Sequence, residues 1–176
     1  MNQFLSNRMT LSLLILAVSA LFLSAGSTQA AEIGGTISAT LTIYEDSELV
    51  GDVTCMVAGA PCIAFGAPDI KLRLNGFTIT DGANTSNNCA TSNFTQDGIQ
   101  VNAQHNVAIL GPGLVHKFAG LGISLLGSTK VRVEGVTAAD NCFSGIFLFS
   151  TADSDIEKNV SVRNSIGSKG NPCGGT

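Results

Sequence analysis

The stretches DGIQVNAQHNVAILGPGLV (Asp97 to Val115), LGISLLGSTKVRVEGVTAADN (Leu121 to Asn141) and SGIFLFSTADSDIEKNVSVRN (Ser144 to Asn164) are three copies of one pattern. Gly98, Gly122 and Gly145 step by 24 and then by 23. The apolar residue after each glycine (Ile99, Ile123, Ile146) and the one two further on (Val101, Leu125, Leu148) keep that phase, as do Ile109, Val133 and Ile156. A looser copy, CIAFGAPDIKLRLNGFTITDG, starts at Cys62. Between it and the next copy lies a polar insertion, roughly Gly82 to Gln96, whose Asn, Ser, Thr and Gly content predicts a projecting loop.

Within each copy the aliphatic residues alternate at period two over short runs separated by Gly, Asn, Asp or Ser, the pattern of short strands. Beyond the apolar stretch near the N-terminus no window carries a helical stripe, so helical repeats do not fit, and leucine-rich repeats would need leucine where valine and isoleucine stand. A β-sandwich does not require in-phase copies at near-constant spacing. A solenoid does: coils stack about 4.8 Å apart and like side chains pile into interior columns. The columns expected are Ile99/Ile123/Ile146 and Val101/Leu125/Leu148. The glycines ahead of the strands mark places where a Cβ would crowd the turn or where φ must be positive.

The run LRLNGFTITDG (Leu72 to Gly82), preceded by GDVTC and followed by the G-I-x-V and G-I-x-L copies, resembles the right-handed parallel β-helix proteins of the pectate-lyase-like superfamily, from roughly Leu41 to the C-terminus. Phe77 stands where members often carry histidine. The resemblance implies an all-β, right-handed parallel β-helix of about four coils. The organisation expected is a signal peptide over 1–30, an N-terminal cap strand and loop over 31–61, with Ile37 to Ile43 as the covering strand, and β-helix repeats over 62–176. It implies no single activity, because the superfamily includes polysaccharide lyases and hydrolases, uronate epimerases, copper-site maturation proteins and many members with no assigned chemistry.

Segment 1–30 reads as an address. MNQFLSNRMT carries one positive charge, LSLLILAVSALFL supplies an apolar stretch, and small residues follow up to Ala30 and Ala31, where cleavage is expected. Cleavage after Ala30 leaves a mature chain that starts at Ala31 and carries a charge of −5, since Arg8 is lost. A secreted, periplasmic or cell-surface location follows. No membrane is expected for the mature form, whose apolar runs are too short to span one, and its acidity excludes nucleic acid as a partner. All five cysteines (Cys55, Cys62, Cys89, Cys142, Cys173) lie in the mature part. Cys55 and Cys62 flank a short loop and suit a local disulfide. Cys142 and Cys173 form a second candidate pair if they occupy equivalent corners of successive coils, which would leave Cys89 over. The chain stops at NPCGGT, where a further copy would start, so another chain or further coils are expected at that end.

The outward positions of the first strand, Gln100, Ser124 and Phe147, with Asn102, Leu126 and Phe149 beyond them, carry neither acid nor base and form the candidate polymer-facing surface. The second-strand face carries Lys71, Arg73, Lys130, Arg132, Glu134, Asp155 and Glu157, with Arg132 and Glu157 placed for a solvated ion pair across coils. Asp97, Asp140 and Asp153 fall at turns, where aspartate commonly bonds its own backbone. His105 and His116 are too far apart for a local metal motif, so no catalytic residue, metal or cofactor is assigned. The function expected is a non-catalytic structural or surface module that recognises extended polysaccharide. The alternative is the N-terminal part of a carbohydrate-active enzyme (lyase, uronate epimerase or hydrolase) with its paired carboxylates, and Ca²⁺ for a lyase, supplied beyond this chain.

Overall fold

The computed structural model describes residues 29–84, 89 and 93–165. Apart from residues 29 and 30, the segment 1–30 expected to be a signal peptide lies outside that set, as do Cys173 and the NPCGGT end. Every described element is a strand: β1 (Ala31–Ile37), β2 (Leu41–Ile43), β3 (Ser47–Cys55), β4 (Ile63–Phe65), β5 (Lys71–Arg73), β6 (Thr78–Asp81), β7 (Ile99–Asn102), β8 (Ala108–His116), β9 (Ile123–Leu126), β10 (Arg132–Ala139), β11 (Ile146–Phe149), β12 (Asp155–Glu157) and β13 (Val160–Val162). All pairings are parallel.

One sheet runs β2-β4-β7-β9-β11 and forms the first face of a coiled prism. The other runs β1-β3-β5-β8-β10-β12, with β6 pairing β3 and β8, and β13 pairing β10. Its long strands bend in the middle, so the first half of β8 pairs β5 and its second half pairs β6. That bend divides the larger sheet into a second and a third face. Gly135 makes the bend in β10 at φ +69°, a left-handed conformation that a β-branched residue would resist.

The expected columns exist. Leu41, Ile63, Ile99, Ile123 and Ile146 are partners in successive rungs of the first face, and Leu72, Ile109, Val133 and Ile156 in rungs of the second. Ile63, Ile99, Ile123, Leu72, Ile109 and Val133 have no exposed surface. Each such aliphatic side chain stabilises the fold by about 1.5–3 kcal/mol relative to leaving it in water. Because β1 to β3 lie in the same parallel ladders, the solenoid extends below Cys62, and the first face has five rungs among the described residues. The stretch Ile37 to Ile43 is not one covering strand. It is the end of β1, a corner and β2.

The corners follow two physical rules. Left-handed residues repeat with the coil: Asn106, Lys130 and Asp153 at one corner, and Lys117, Asp140 and Arg163 at another, all with φ between 52° and 64°. The glycines ahead of the first-face strands serve close approach instead: a Cβ on Gly122 would lie 2.5 Å from the Gly145 carbonyl oxygen and 2.7 Å from Asn141 Nδ2. Asn141 and Asn164 stack at the third corner. Asn164 Oδ1 accepts from the Asn141 backbone N–H (3.0 Å) and Nδ2 (2.9 Å), and Asn141 Oδ1 accepts from the Phe118 N–H (3.1 Å). Asn141 is fully buried, and these bonds offset its desolvation.

Candidate functional site: an aromatic surface on the first face

Outward positions on the first face fall into two rows. One reads Thr42, Ala64, Gln100, Ser124, Phe147 in register. In the other, Asn102, Leu126 and Phe149 are consecutive partners. At its lower end Tyr44 lies over Gly66, where a Cβ would come within 2.5 Å of the tyrosine ring.

Ser124 points outward from the coil, yet it has no exposed surface. Its hydroxyl donates to Asp97 Oδ2 at 2.6 Å, and Asp97 Oδ1 accepts from the Leu121 N–H at 2.9 Å. Asp97 therefore reaches across to the next coil and does not bond its own backbone as a turn aspartate would. Burial pushes its carboxyl above the usual range, against the hydrogen bonds that favour the charged form. Ser124 and Asp97 support the face from beneath, and a polymer cannot touch them.

Gln100 and Phe147 are partly exposed. They belong to a larger aromatic group that the alternation alone does not reveal. Phe143, Phe147 and Phe149 follow one another along the fifth coil, and Phe94, from the inserted loop, stacks on Phe143 with ring centroids 3.6 Å apart and planes at 24°. Phe149 is 63% exposed and Phe94 62%. Phe147 and Phe149 thus stand on the outward rows of β11, with Gln100 and Asn102 two rungs below, and the stacked Phe94 and Phe143 lie at the corner that leads into that strand. The F-x3-F-x-F spacing of 143–149 was the available signal.

The loop that supplies Phe94 is anchored at both feet. Buried Asp81 accepts from the Ala83 and Asn84 N–H groups through Oδ1, and from Gln96 Nε2 (2.7 Å) and the Ala119 N–H (3.2 Å) through Oδ2. Gln96 Oε1 in turn accepts from the Gly59 N–H. The Cys89–Cys142 disulfide pins the same loop to the fifth coil. This corrects the expected Cys142–Cys173 pair. Asn164 stacks on Asn141, so Ser165 follows Cys142 in phase in the next coil, and Cys173 lies outside the described residues. Cys55–Cys62 is bonded as the spacing suggested.

The charged face shows a second correction. Register sets Arg132 opposite Asp155 and Glu134 opposite Glu157. Arg132 pairs with Glu134 on its own strand, and the cross-coil bond runs from Lys158 to Glu134 at 2.7 Å. His105 is exposed and His116 half-buried, with its pKa lowered by burial and by Lys117. No group of three His, Cys, Asp or Glu that could hold a metal ion occurs among the described residues. The carboxamide of Asn159, in an Asn-Val-Ser triplet, closes a corner by accepting from the Val136 N–H and donating to the Val133 carbonyl.

No curated protein and no solved structure matches the chain. A family model described as the right-handed beta helix region matches residues 70–174. With in-register parallel rungs on three faces and a family match over more than half its length, the chain belongs to the right-handed β-helix family.

Proposed function

We propose that this chain is an exported, non-catalytic recognition module that holds an extended polysaccharide against the outer surface of its first face. The observation that carries this reading is a set of exposed or half-exposed aromatic rings, Phe147 and Phe149 on strand β11 and the stacked Phe94 and Phe143 at the corner ahead of it. Flat aromatic rings give large contact area at low entropic cost and bury the apolar faces of sugar rings. Gln100 and Asn102, two rungs away, supply amide donors and acceptors for hydroxyl groups. The outward rows of the face offer no carboxylate pair for glycosidic chemistry, and the nearby acids Asp81 and Asp97 are buried and engaged in hydrogen bonds. The leader-like segment 1–30 and the two disulfides support export.

Affinity electrophoresis through gels containing polygalacturonate, alginate, xylan or dextran tests the reading. Retardation by at least one polymer, weakened about tenfold by Phe149→Ala, is the expected result. A single good aromatic contact, worth about 1–1.5 kcal/mol, corresponds to that factor. Retardation by none of them, retardation indifferent to Phe149→Ala and Phe147→Ala, or release of unsaturated product from a polyuronate would overturn it.

A further inference from the structure

The second face carries a charge pattern that the first face does not use. In chain order its rungs present Glu32; Asp46 and Glu48; Lys71 and Arg73; Ala108 and Leu110; Arg132 and Glu134, with Lys130 at the corner; and Asp155 and Glu157. The neutral rung of Ala108 and Leu110 thus lies between Lys71 and Arg73 on one side and Arg132 with the corner Lys130 on the other, and acidic rungs lie beyond both. Lys71, Ala108, Arg132 and Asp155 are consecutive in one outward column. Ala108 is short, and over it opens a cavity of about 260 Å³ bordered by Lys71, Lys130, Arg132, Asn106, Asp46 and Asp69. Along the same strand a second hollow of about 430 Å³ opens over Leu110 and Pro112.

Some of these charges are already matched. Lys71 Nζ bonds Asp46 at 2.8 Å, Arg132 bonds Glu134, and Asn106 Nδ2 donates to Asp69 Oδ1 at 2.7 Å. Arg73 and Lys130 have no ion-pair partner among the described residues. Lys71 and Arg132 stand two rungs apart, about 9.6 Å between backbones, so both long side chains reach an anion seated over Ala108 from opposite sides.

We propose that the notch over Ala108 binds a single phosphate or sulfate ester carried by a polysaccharide. A tetrahedral oxyanion offers oxygens to both walls at once, to Lys71 on one side and to Arg132 and Lys130 on the other. Densely charged polymers are excluded, since Asp46 and Glu48 below and Asp155 and Glu157 above repel any charge beyond one site. An extended peptide fits poorly as well: β8 is hydrogen-bonded on both edges, so it leaves no backbone groups to pair a peptide strand. The Ala108, Leu110 and Pro112 strip gives sugar C–H surfaces an apolar floor. This inference goes beyond the reading of the first face and stands on different residues.

The test uses the full chain and isothermal titration with lightly phosphorylated dextran, lightly sulfated dextran and unsubstituted dextran. The two substituted polymers separate the two ester sources, and lightly carboxymethylated dextran reports a planar carboxylate at the same charge density. At least one ester polymer is expected to bind at least tenfold more tightly than dextran and carboxymethyl dextran. Lys71→Ala with Arg132→Ala should remove that margin, while Lys117→Ala, at a distant corner, leaves it intact. Arg132→Gln, which keeps the size of the side chain, is the second variant should the double one melt early. Equal binding of dextran and both esters, a carboxylate preference, a margin untouched by the Lys71 and Arg132 variants, or an equal loss on Lys117→Ala at a distant corner would overturn the proposal. Loss of the margin through Phe149→Ala would instead place the anion on the first face and overturn it too.

Discussion

Ile123 and Ile146 occupy the same interior column one rung apart, and replacing each with alanine should give very different costs. Ile123 has no exposed surface and sits between Ile99 and Ile146. Ile123→Ala deletes three carbon atoms at about 0.8 kcal/mol each, roughly 2.4 kcal/mol of transfer free energy. A closed cavity remains because the rungs above and below are held by backbone hydrogen bonds, such as Ile123 N–H to the Gly145 carbonyl at 2.8 Å and Ile99 N–H to the Gly122 carbonyl at 3.0 Å. That raises the total to about 3–4 kcal/mol. Ile146 is only partly buried, and its neighbour Leu148 is 43% exposed. Its truncation loses less transfer energy and opens to solvent without enclosing a void, about 1 kcal/mol in all. Urea denaturation of the oxidised protein, with both variants sharing the wild-type m value, reads the difference as a shift in midpoint. Equal costs, or a larger one at Ile146, would refute the reasoning that stacking in one column sets these energies.

Replacing Cys89 and Cys142 together with alanine should lower stability by about 4 kcal/mol, the chain-entropy value for a link spanning 53 residues. A peptide map under non-reducing conditions should join the Cys89 and Cys142 fragments, and a fragment joining Cys142 to Cys173 would contradict the structure. Gly122→Ala should destabilise more than Gly127→Ala: its Cβ meets the Gly145 carbonyl at 2.5 Å, whereas Gly127 faces open space and adds only the strain of a positive φ. Melting temperatures of the two variants, in the reverse order, would count against the close-approach reading. Asp97 has a folded pKa above its ordinary value of 3.8, so between the two values the folded chain holds a proton that the unfolded chain has released. Its contribution is full below 3.8 and is lost as pH rises through the raised folded value. The stability of wild type minus that of Asp97→Asn should therefore decline as pH rises from 3.8 to the raised folded value and level off beyond it, and a flat or rising difference across that window in urea titrations would contradict it.

The interior was legible because its signal is redundant: Ile99, Ile123 and Ile146 keep both the alternation of a strand and the spacing of the coil. The lowest coil was not. In β1 the run Ile33-Gly34-Gly35 breaks the alternation, and the pairing with β3 shifts register there. Alternation reports which way a side chain faces and says nothing of its exposure, so Ser124 read as accessible although it is buried with its hydroxyl bonded to Asp97. Cys89 sits in the insertion, where periodicity carries no information about a partner 53 residues away. Left-handed corners at Asn106, Lys130 and Asp153 were spaced as regularly as the columns, but their different chemistries hid the repeat, whereas glycines drew attention to sites of close approach.

Parallel, in-register pairing of successive coils underlies both proposed surfaces, and trans-hydrogen-bond scalar couplings in a deuterated, isotope-labelled sample read it bond by bond. Couplings are expected from the Ile99 amide nitrogen to the Gly122 carbonyl carbon and from the Ile123 amide nitrogen to the Gly145 carbonyl carbon. Couplings from those amides to carbonyls of a neighbouring antiparallel strand, or to positions one residue out of phase, would contradict that pairing.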